Sequence, residues 1–419
     1  MLGAPFPISE SALLQPDLVQ RRNQDDLLAR ILGRSHSLFA EDVAANGRRL
    51  AEAIGGKRLL VVGAAGSVGT SFVKQVARFA PACLHLIDIS ENGLVEAVRD
   101  LRSSPLALAL PQDFRTASLD FGGAEFARFA ADHRPYDVFV NFAALKHVRA
   151  ERDVYSLLRM IEVNVANLKS CLDRAAELGF ARAFSVSTDK SVRPANLMGA
   201  TKNLMEQVLF QRGFAPVATS ARFANVAFSA GSLLEGFDQR LRKRQPLAAP
   251  TDVRRYIISE VEAGELCLLA CFLGEARQVF FPKLRPETDL MSFADIAAAF
   301  LRHHGYEPRL CGSEREAIAA RDLPRGQWPC HFAPTDTTGE KQVEEFFRPT
   351  DAVDETSFRA AGRTREVPAD PRVVSEFLDR IQRIRAAPVW KKADVVEALR
   401  AAVPELAHRE RDRNLDQKM

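Results

Sequence analysis

Residues 57–79 limit the fold more than any other stretch of this chain. An apolar run, KRLLVV at 57–62, leads directly into Gly63-Ala64-Ala65-Gly66-Ser67-Val68-Gly69, and helical apolar spacing continues through Phe79. Strand, glycine turn and helix in that order make the first unit of a parallel sheet whose turn accepts a dinucleotide. Gly63 permits the tight bend, Gly66 lets a pyrophosphate approach the backbone, and Gly69 allows close packing of helix on strand. Ala65, Ser67 and Val68 supply the backbone at the positive helix end that attracts phosphate. A glycine triplet alone is a weak sign, and the strands downstream of it decide its meaning.

A second apolar run at 84–87 ends in Asp88, nineteen positions after Gly69. An acid at that distance suits adenosine ribose hydroxyls and repels a 2′-phosphate, so the expected cofactor is NAD. Ile89 and Ser90 belong to the same edge, and Ser90 with Arg99 leaves some room for NADP. A third strand near 116–119 ends at Asp120-Phe121, beside the expected adenine, although a helix cap is an equally good reading of Asp120. The fourth strand, DVFVN at 137–141, is followed by small Ala143 and Ala144, which permit close cofactor approach, and then by Lys146 and His147. A helix over roughly 157–178 carries Asn164, a candidate brace for that loop.

The fifth strand delivers Ser187-Thr188-Asp189-Lys190: a hydroxyl, an acid and a base in succession. Met198 and Lys202 follow on one helical face, four residues apart. A turn and helix start is the ordinary reading of Thr-Asp-Lys. Five successive strand-helix units outweigh it, because ligands gather at the carboxyl ends of such a sheet. The predicted architecture is α/β: a Rossmann-type doubly wound parallel sheet with a smaller C-terminal substrate-binding part and helical N- and C-terminal additions. The expected divisions are 1–56, 57–225, 226–347 and 348–419. Helical spacing runs from 17 to 54, stopped by Gly55-Gly56, and two more helices are expected at 371–386 and 391–403.

The chain has 419 residues, with 57 Lys and Arg against 54 Asp and Glu. That balance gives no electrostatic case for nucleic acid. No apolar window approaches the roughly 18 residues of a membrane span. Six scattered cysteines and the absence of a leader pattern at the start favour a reducing cytoplasm. Cys267 and Cys271 share a helical face without the histidine or further cysteine that a metal set requires, so no metal is expected.

Several motifs together resemble a family. The glycine turn, the Asn141-Phe142-Ala143-Ala144 loop and the strand-five hydroxyl are similar to those of extended short-chain dehydrogenase/reductases acting on nucleotide sugars, over roughly residues 57–345. AALKHV at 143–148, STDK at 187–190, NLMGATK at 196–202 and RFANV at 222–226 resemble the N-acetylhexosamine 4,6-dehydratase branch, the CapD-like polysaccharide biosynthesis proteins. The leader, GSLLEGFDQR at 231–240, WPC with DTTGEK, and the terminal LDQKM resemble soluble GDP-N-acetylglucosamine dehydratases of legionaminic-acid pathways. Met198 stands where most of the superfamily has tyrosine. A thioether cannot exchange a proton, so the usual phenolate base is ruled out.

The resemblance implies a homo-oligomeric enzyme of bacterial surface glycan biosynthesis that removes water across C4–C6 of a GDP- or UDP-linked N-acetylglucosamine, with tightly bound NAD regenerated each turnover. Thr188 would hydrogen-bond the C4 oxygen, Asp189 protonate the leaving C6 hydroxyl and Lys190 take the C5 proton. Lys202 would bind the nicotinamide ribose, with Ser187 beside it. Lys146, His147, Asn225, Ser229, Ser232, Leu233, Arg255, Lys283 and Glu340 would receive the nucleotide sugar. Dimers would form through the helices at 157–178 and 198–211. Alternatives are a dehydratase that inverts C5, a C4 epimerase, or a silent NAD-binding scaffold.

Overall fold

The computed structural model describes residues 16–409, apart from 107, 212–215, 321–323, 336–340, 342, 344 and 368. Six strands follow one another with helices between them: β1 (Arg58–Val62), β2 (Cys83–Asp88), β3 (Asp113–Ser118), β4 (Val138–Asn141), β5 (Arg182–Thr188) and β6 (Val217–Phe223). They pair in parallel in the order β3-β2-β1-β4-β5-β6. β4 is buried throughout and β1 beyond its first residue. Helices cover both faces there, so these strands read as continuous apolar runs instead of alternating ones. The sequence order reverses between β1 and β4, which opens a crevice at their carboxyl ends.

Beyond β6 the chain forms β7 (Asn225–Val226), β8 (Leu247–Pro250) and β9 (Arg254–Ile258), and then β10 (Gln278–Pro282) rejoins the main sheet parallel to β6. β11 (Leu290–Ser292), β12 (Glu307–Leu310) and β13 (Gln327–Ala333) complete two small sheets, β11-β9-β7 and β12-β13-β8. β14 (Val353–Asp354) and β15 (Ala361–Thr364) close the main sheet as antiparallel edge strands. The segment 348–419, expected to be a helical addition, therefore also contributes two strands.

The leader also departs from expectation. Its helical spacing belongs to three helices, Pro16–Leu32, Ala40–Ala45 and Gly47–Ile54. Gly33, at φ +66, ends the first. Leu27 and Ile31 pack with Phe300 and Leu301 of the substrate-side part, whereas Phe39, Leu50 and Ile54 join the core around Phe72 of the glycine-turn helix. The leader thus ties the two parts together.

The C-terminal helices Pro371–Ala386 and Lys392–Ala402 lie where a partner subunit was expected. Val374, Phe377, Ile381, Val395 and Leu399 share one core with Leu157, Ile161, Leu204 and Val208. The apolar face assigned to a dimer is covered by the chain itself.

All six cysteines are free and buried. Burial pushes the thiols of Cys83, Cys171, Cys271 and Cys330 up to about 12, which makes them inert. Cys83, His85 and Asp113 lie close enough to share an ion. However, the Arg58 and Arg115 guanidiniums both bond Asp113, so its charge is already neutralised. Among the described residues no helix is long and apolar enough to cross a membrane.

Candidate active site

The glycine turn has the geometry its residues call for. Gly63 sits at φ +71, and a Cβ there would run into the backbone of Phe142 and Ala143. A Cβ on Gly69 would strike the Gly63 carbonyl, whereas at Gly66 it would meet only open space and one atom at 3.6 Å. Gly66 is the N-cap of helix Ser67–Val76 with no side-chain cap, leaving the first-turn N–H groups available. Asp88 accepts from Ala65 N at 3.0 Å and Ser90 N at 2.9 Å, locking β2 to the turn. Ile89 is 70% exposed beside it, an apolar shelf of the kind an adenine covers.

Asp120 neither caps a helix nor stands free. Its carboxylate holds Arg159 at 2.5 Å and Gly122 N at 3.0 Å, and Gly123 is the cap. Phe121 is buried edge-on against Phe126.

Asn164 lies in a single π-helical turn, Glu162–Ala166, where the sequence pattern predicts regular helix. The extra residue aims its amide inward. It accepts from Leu145 N at 2.9 Å and donates to Leu145 O and Thr201 Oγ1, both at 3.0 Å, bridging the β4 loop to helix Leu197–Leu209.

A cavity of about 430 Å³ opens at the switch point, lined by the glycine turn, Ala144, Lys146, His147, Thr188, Lys190, Met198 and Lys202. Asn225, Ser229, Ser232 and Leu233 form its substrate-side wall. Thr188 Oγ1 donates to Asp189 Oδ1 at 2.8 Å, and Lys190 Nζ donates to the same oxygen at 3.0 Å and to Asn225 Oδ1 at 3.3 Å. Asp189 itself is 2% exposed, so the direct contact with a leaving hydroxyl expected of it is not available. It reaches the cavity through its two neighbours.

Lys202 is buried, with Nζ on Val186 O at 2.9 Å. Burial brings its pKa down to about 8, against the opposing pull of Glu206 one turn on. Lys146 is also lowered by burial, against Glu235 and Glu260, and its Nζ lies 3.4 Å from Ser229 Oγ. His147 is lowered by burial and by Lys146. Its ring packs over Gly231, where a Cβ would collide with it.

Two expected substrate contacts fall elsewhere. Lys283 Nζ is taken up by the Glu355 and Phe358 carbonyls, at 2.8 and 2.9 Å, away from the cavity. Arg255 is buried behind the wall, 5.8 Å from the Phe293 ring centroid, with Nη1 on the Arg254 and Lys341 carbonyls. Glu340 lies outside the described residues. Conversely, sequence reasoning misses Ile257, Phe293 and Ile296, which line the apolar end of the cavity from β9 and the helix Phe293–His303. Nothing local marks them, since they meet the site only through tertiary folding. Glu206 is missed as well, although its place four residues after Lys202 puts it on the same helical face.

Ser187 borders the cavity, but its hydroxyl is bound to Glu206. Its Oγ donates to Glu206 Oε1 at 2.5 Å, and Ser191 Oγ donates to the same oxygen at 2.9 Å. Glu206 is in turn held by Arg222, at 2.8 and 2.5 Å, and the chain flanking Thr188–Lys190 is thereby fastened at both ends.

A parallel sheet with a glycine turn at its switch point, and with Asp189 and Lys190 just past the end of β5, defines a Rossmann-type fold. More narrowly, the chain belongs to the polysaccharide biosynthesis protein family, which it matches over residues 59–365. It is 30% identical to an uncharacterized membrane protein of Methanocaldococcus jannaschii, over 60% of this chain and 74% of that one. Capsular polysaccharide biosynthesis protein CapD of Staphylococcus aureus is 28% identical over 62% of this chain, which spans only 43% of that protein's length. UDP-N-acetylglucosamine 4,6-dehydratase (inverting) of Campylobacter jejuni is 26% identical, over 59% and 73% of the two chains. The structure of DesIV, dTDP-glucose 4,6-dehydratase of Streptomyces venezuelae with NAD and TYD bound, shares the fold at a TM-score of 0.53 and 19% identity, over 69% of this chain and 88% of that one.

Proposed function

We propose that this chain is a 4,6-dehydratase acting on a nucleotide-linked N-acetylglucosamine, with NAD held at the glycine turn. The observation that carries the proposal is Thr188, Asp189 and Lys190 joined through one carboxylate oxygen at the cavity wall, with Met198 in the phenol's place. The cradle fits NAD: the space at Gly66 is open, the helix N–H groups are uncapped and Asp88 stands at the β2 end. Held at Gly63–Gly69 and the Asp88 strand end, NAD would supply the reversible hydride exchange that the C4 and C6 positions require.

The residues supply the rest. Asp189, as the carboxylate, can take the C4 hydroxyl proton through Thr188 as C4 is oxidised and later return it to the leaving C6 oxygen, while Lys190, its ammonium proton given up to solvent, presents a neutral amine to the sugar. The amine can then take the C5 proton, whose acidity rises once C4 is a ketone. Thr188 relays protons between Asp189 and the sugar oxygens, which answers the burial of the acid. Met198 contributes an apolar wall and no proton.

The resemblance to legionaminic-pathway enzymes favours a GDP-linked substrate, and the Campylobacter relative favours a UDP-linked one with C5 inversion. Incubation with each sugar in deuterated water tests both. Loss of water with deuterium at C5 is the expected result, and the product's C5 configuration by NMR separates retention from inversion. Epimerisation without loss of water would refute the proposal.

The pH profile has a signed expectation. The Lys202 charge beside the cofactor site is present below about 8 and lost above it, so turnover should fall as pH rises through that value. The fold responds oppositely. Between about 8 and the ordinary 10.5 the unfolded chain binds more protons at this lysine, so its contribution to stability rises with pH. A pH–rate profile measured with parallel thermal melts distinguishes charge loss from unfolding.

A further inference from the structure

The segment joining the catalytic turn to the catalytic helix is held from outside by the last quarter of the chain. Val192, Arg193 and Pro194 are consecutive, and each is contacted by a different distant residue. Lys341 Nζ donates to Val192 O at 2.8 Å. Arg193 Nε donates to Glu345 Oε2 at 3.0 Å, with a second guanidinium contact to Oε1. Ala407 N donates to Pro194 O at 2.9 Å.

Arg193 also carries φ +43, a backbone state that a residue with a Cβ adopts only when its surroundings compel it. Past this segment, Met198 N donates to Glu151 Oε1 at 2.8 Å, and Glu151 Oε2 lies 4.0 Å from His408 Nδ1, one residue after Ala407. Arg348 anchors the same tail through Glu405, and Arg400 through the His408 carbonyl.

We infer that Lys341, Glu345 and Ala407 form a clasp that fixes the 192–194 link in its strained form and so sets Thr188–Lys190 against Met198 and Lys202. Lys341, Glu345 and Ala407 are then positioning residues for the reaction proposed above, and the inference rests on that reading for its catalytic half. The turn and the helix hang from opposite ends of the link. Release of the link lets Arg193 relax and misaligns Lys190 with the sugar, whereas the glycine turn on β1 is untouched. Displacements of about 1 Å in such a constellation cost on the order of 10²-fold in rate.

Ala407→Pro removes one N–H, and the side chain it replaces is exposed. Amide hydrogen exchange of residues 191–198 should accelerate about tenfold or more while that of β1 and the glycine turn stays unchanged. In the same variant kcat should fall about 10–100-fold, with the sugar KM and NAD affinity within about twofold of wild type. Lys341→Met, which frees Val192 O, should act in the same direction and serves if the proline variant fails to fold. Adding Arg193→Asn to Ala407→Pro gives up the Glu345 contact but removes the left-handed strain that the clasp opposes, so it should restore part of kcat; a merely structural role predicts a further loss instead. Unchanged exchange, or faster exchange with unchanged kcat, would overturn the clasp. A wild-type enzyme without dehydratase turnover would instead overturn the functional proposal, and the exchange result would still decide whether the clasp exists.

Discussion

Lys190→Ala is expected to reduce kcat by about 10²–10⁴-fold, the range of a lost general base, and to leave NAD binding intact. Lys190 is the basic group that both lines the cavity and bonds Asp189, with Nζ on Asp189 Oδ1 and Asn225 Oδ1. Lys202 cannot substitute, because its Nζ is turned onto the Val186 carbonyl. The glycine turn, Asp88 and the β4 loop do not touch Lys190, so cofactor affinity has no reason to change. Cofactor retention read by absorbance or denaturation of the purified variant, beside single-turnover product formation, makes the test. Product formation within about tenfold of wild type would remove Lys190 from its assigned role.

Asp189→Asn sharpens the same point. The amide preserves an oxygen for Thr188 and Lys190 but cannot shuttle a proton. If burial of Asp189 means that it works through Thr188, then Thr188→Val should approach the loss seen in Asp189→Asn, and the double variant should lose little more than either alone.

The parts of the fold visible in the sequence are those encoded locally. The βα units announced themselves by apolar runs and by Gly63, Gly66 and Gly69, and Thr188–Lys190 could be placed because a strand end in a parallel sheet is a predictable location. Three features escaped. The closing of the sheet by β10 and β15 depends on contacts more than fifty residues apart, and β14 follows only through its pairing with β15. The covering of the expected dimer face depends on which of several amphipathic helices meets it, and amphipathicity names no partner. Lys283 follows an apolar strand as anticipated, but its direction is set by the 355–358 loop, which no pattern near 283 encodes. Asn164 lies between these cases: its position was readable and the π turn that aims it was not.

Glu206→Ala should be the most destabilising single change near the site, costing about 3–5 kcal/mol in a denaturant titration. Arg222 is fully buried between β5 and β10, and without Glu206 its guanidinium keeps the Phe346 carbonyl, at 2.9 Å, as its remaining described hydrogen-bond partner. The alanine therefore leaves a buried charge uncompensated, together with the hydroxyls of Ser187 and Ser191. Replacing the pair together, Glu206→Met with Arg222→Met, removes both charges and should cost less than the single change. Acid gives an independent check of sign. The Glu206 carboxyl is held below its ordinary 4.5, chiefly by Arg222 and the two serines working against burial. Its contribution is complete above that value and is lost as pH falls through the folded pKa, so wild type and Glu206→Ala should converge in acid. If the double variant folds as well as wild type but turns over slowly, then the buried pair serves to fix the ends of the Thr188–Lys190 turn, and the catalytic geometry is maintained at some cost in stability. If it turns over normally, packing alone holds the turn.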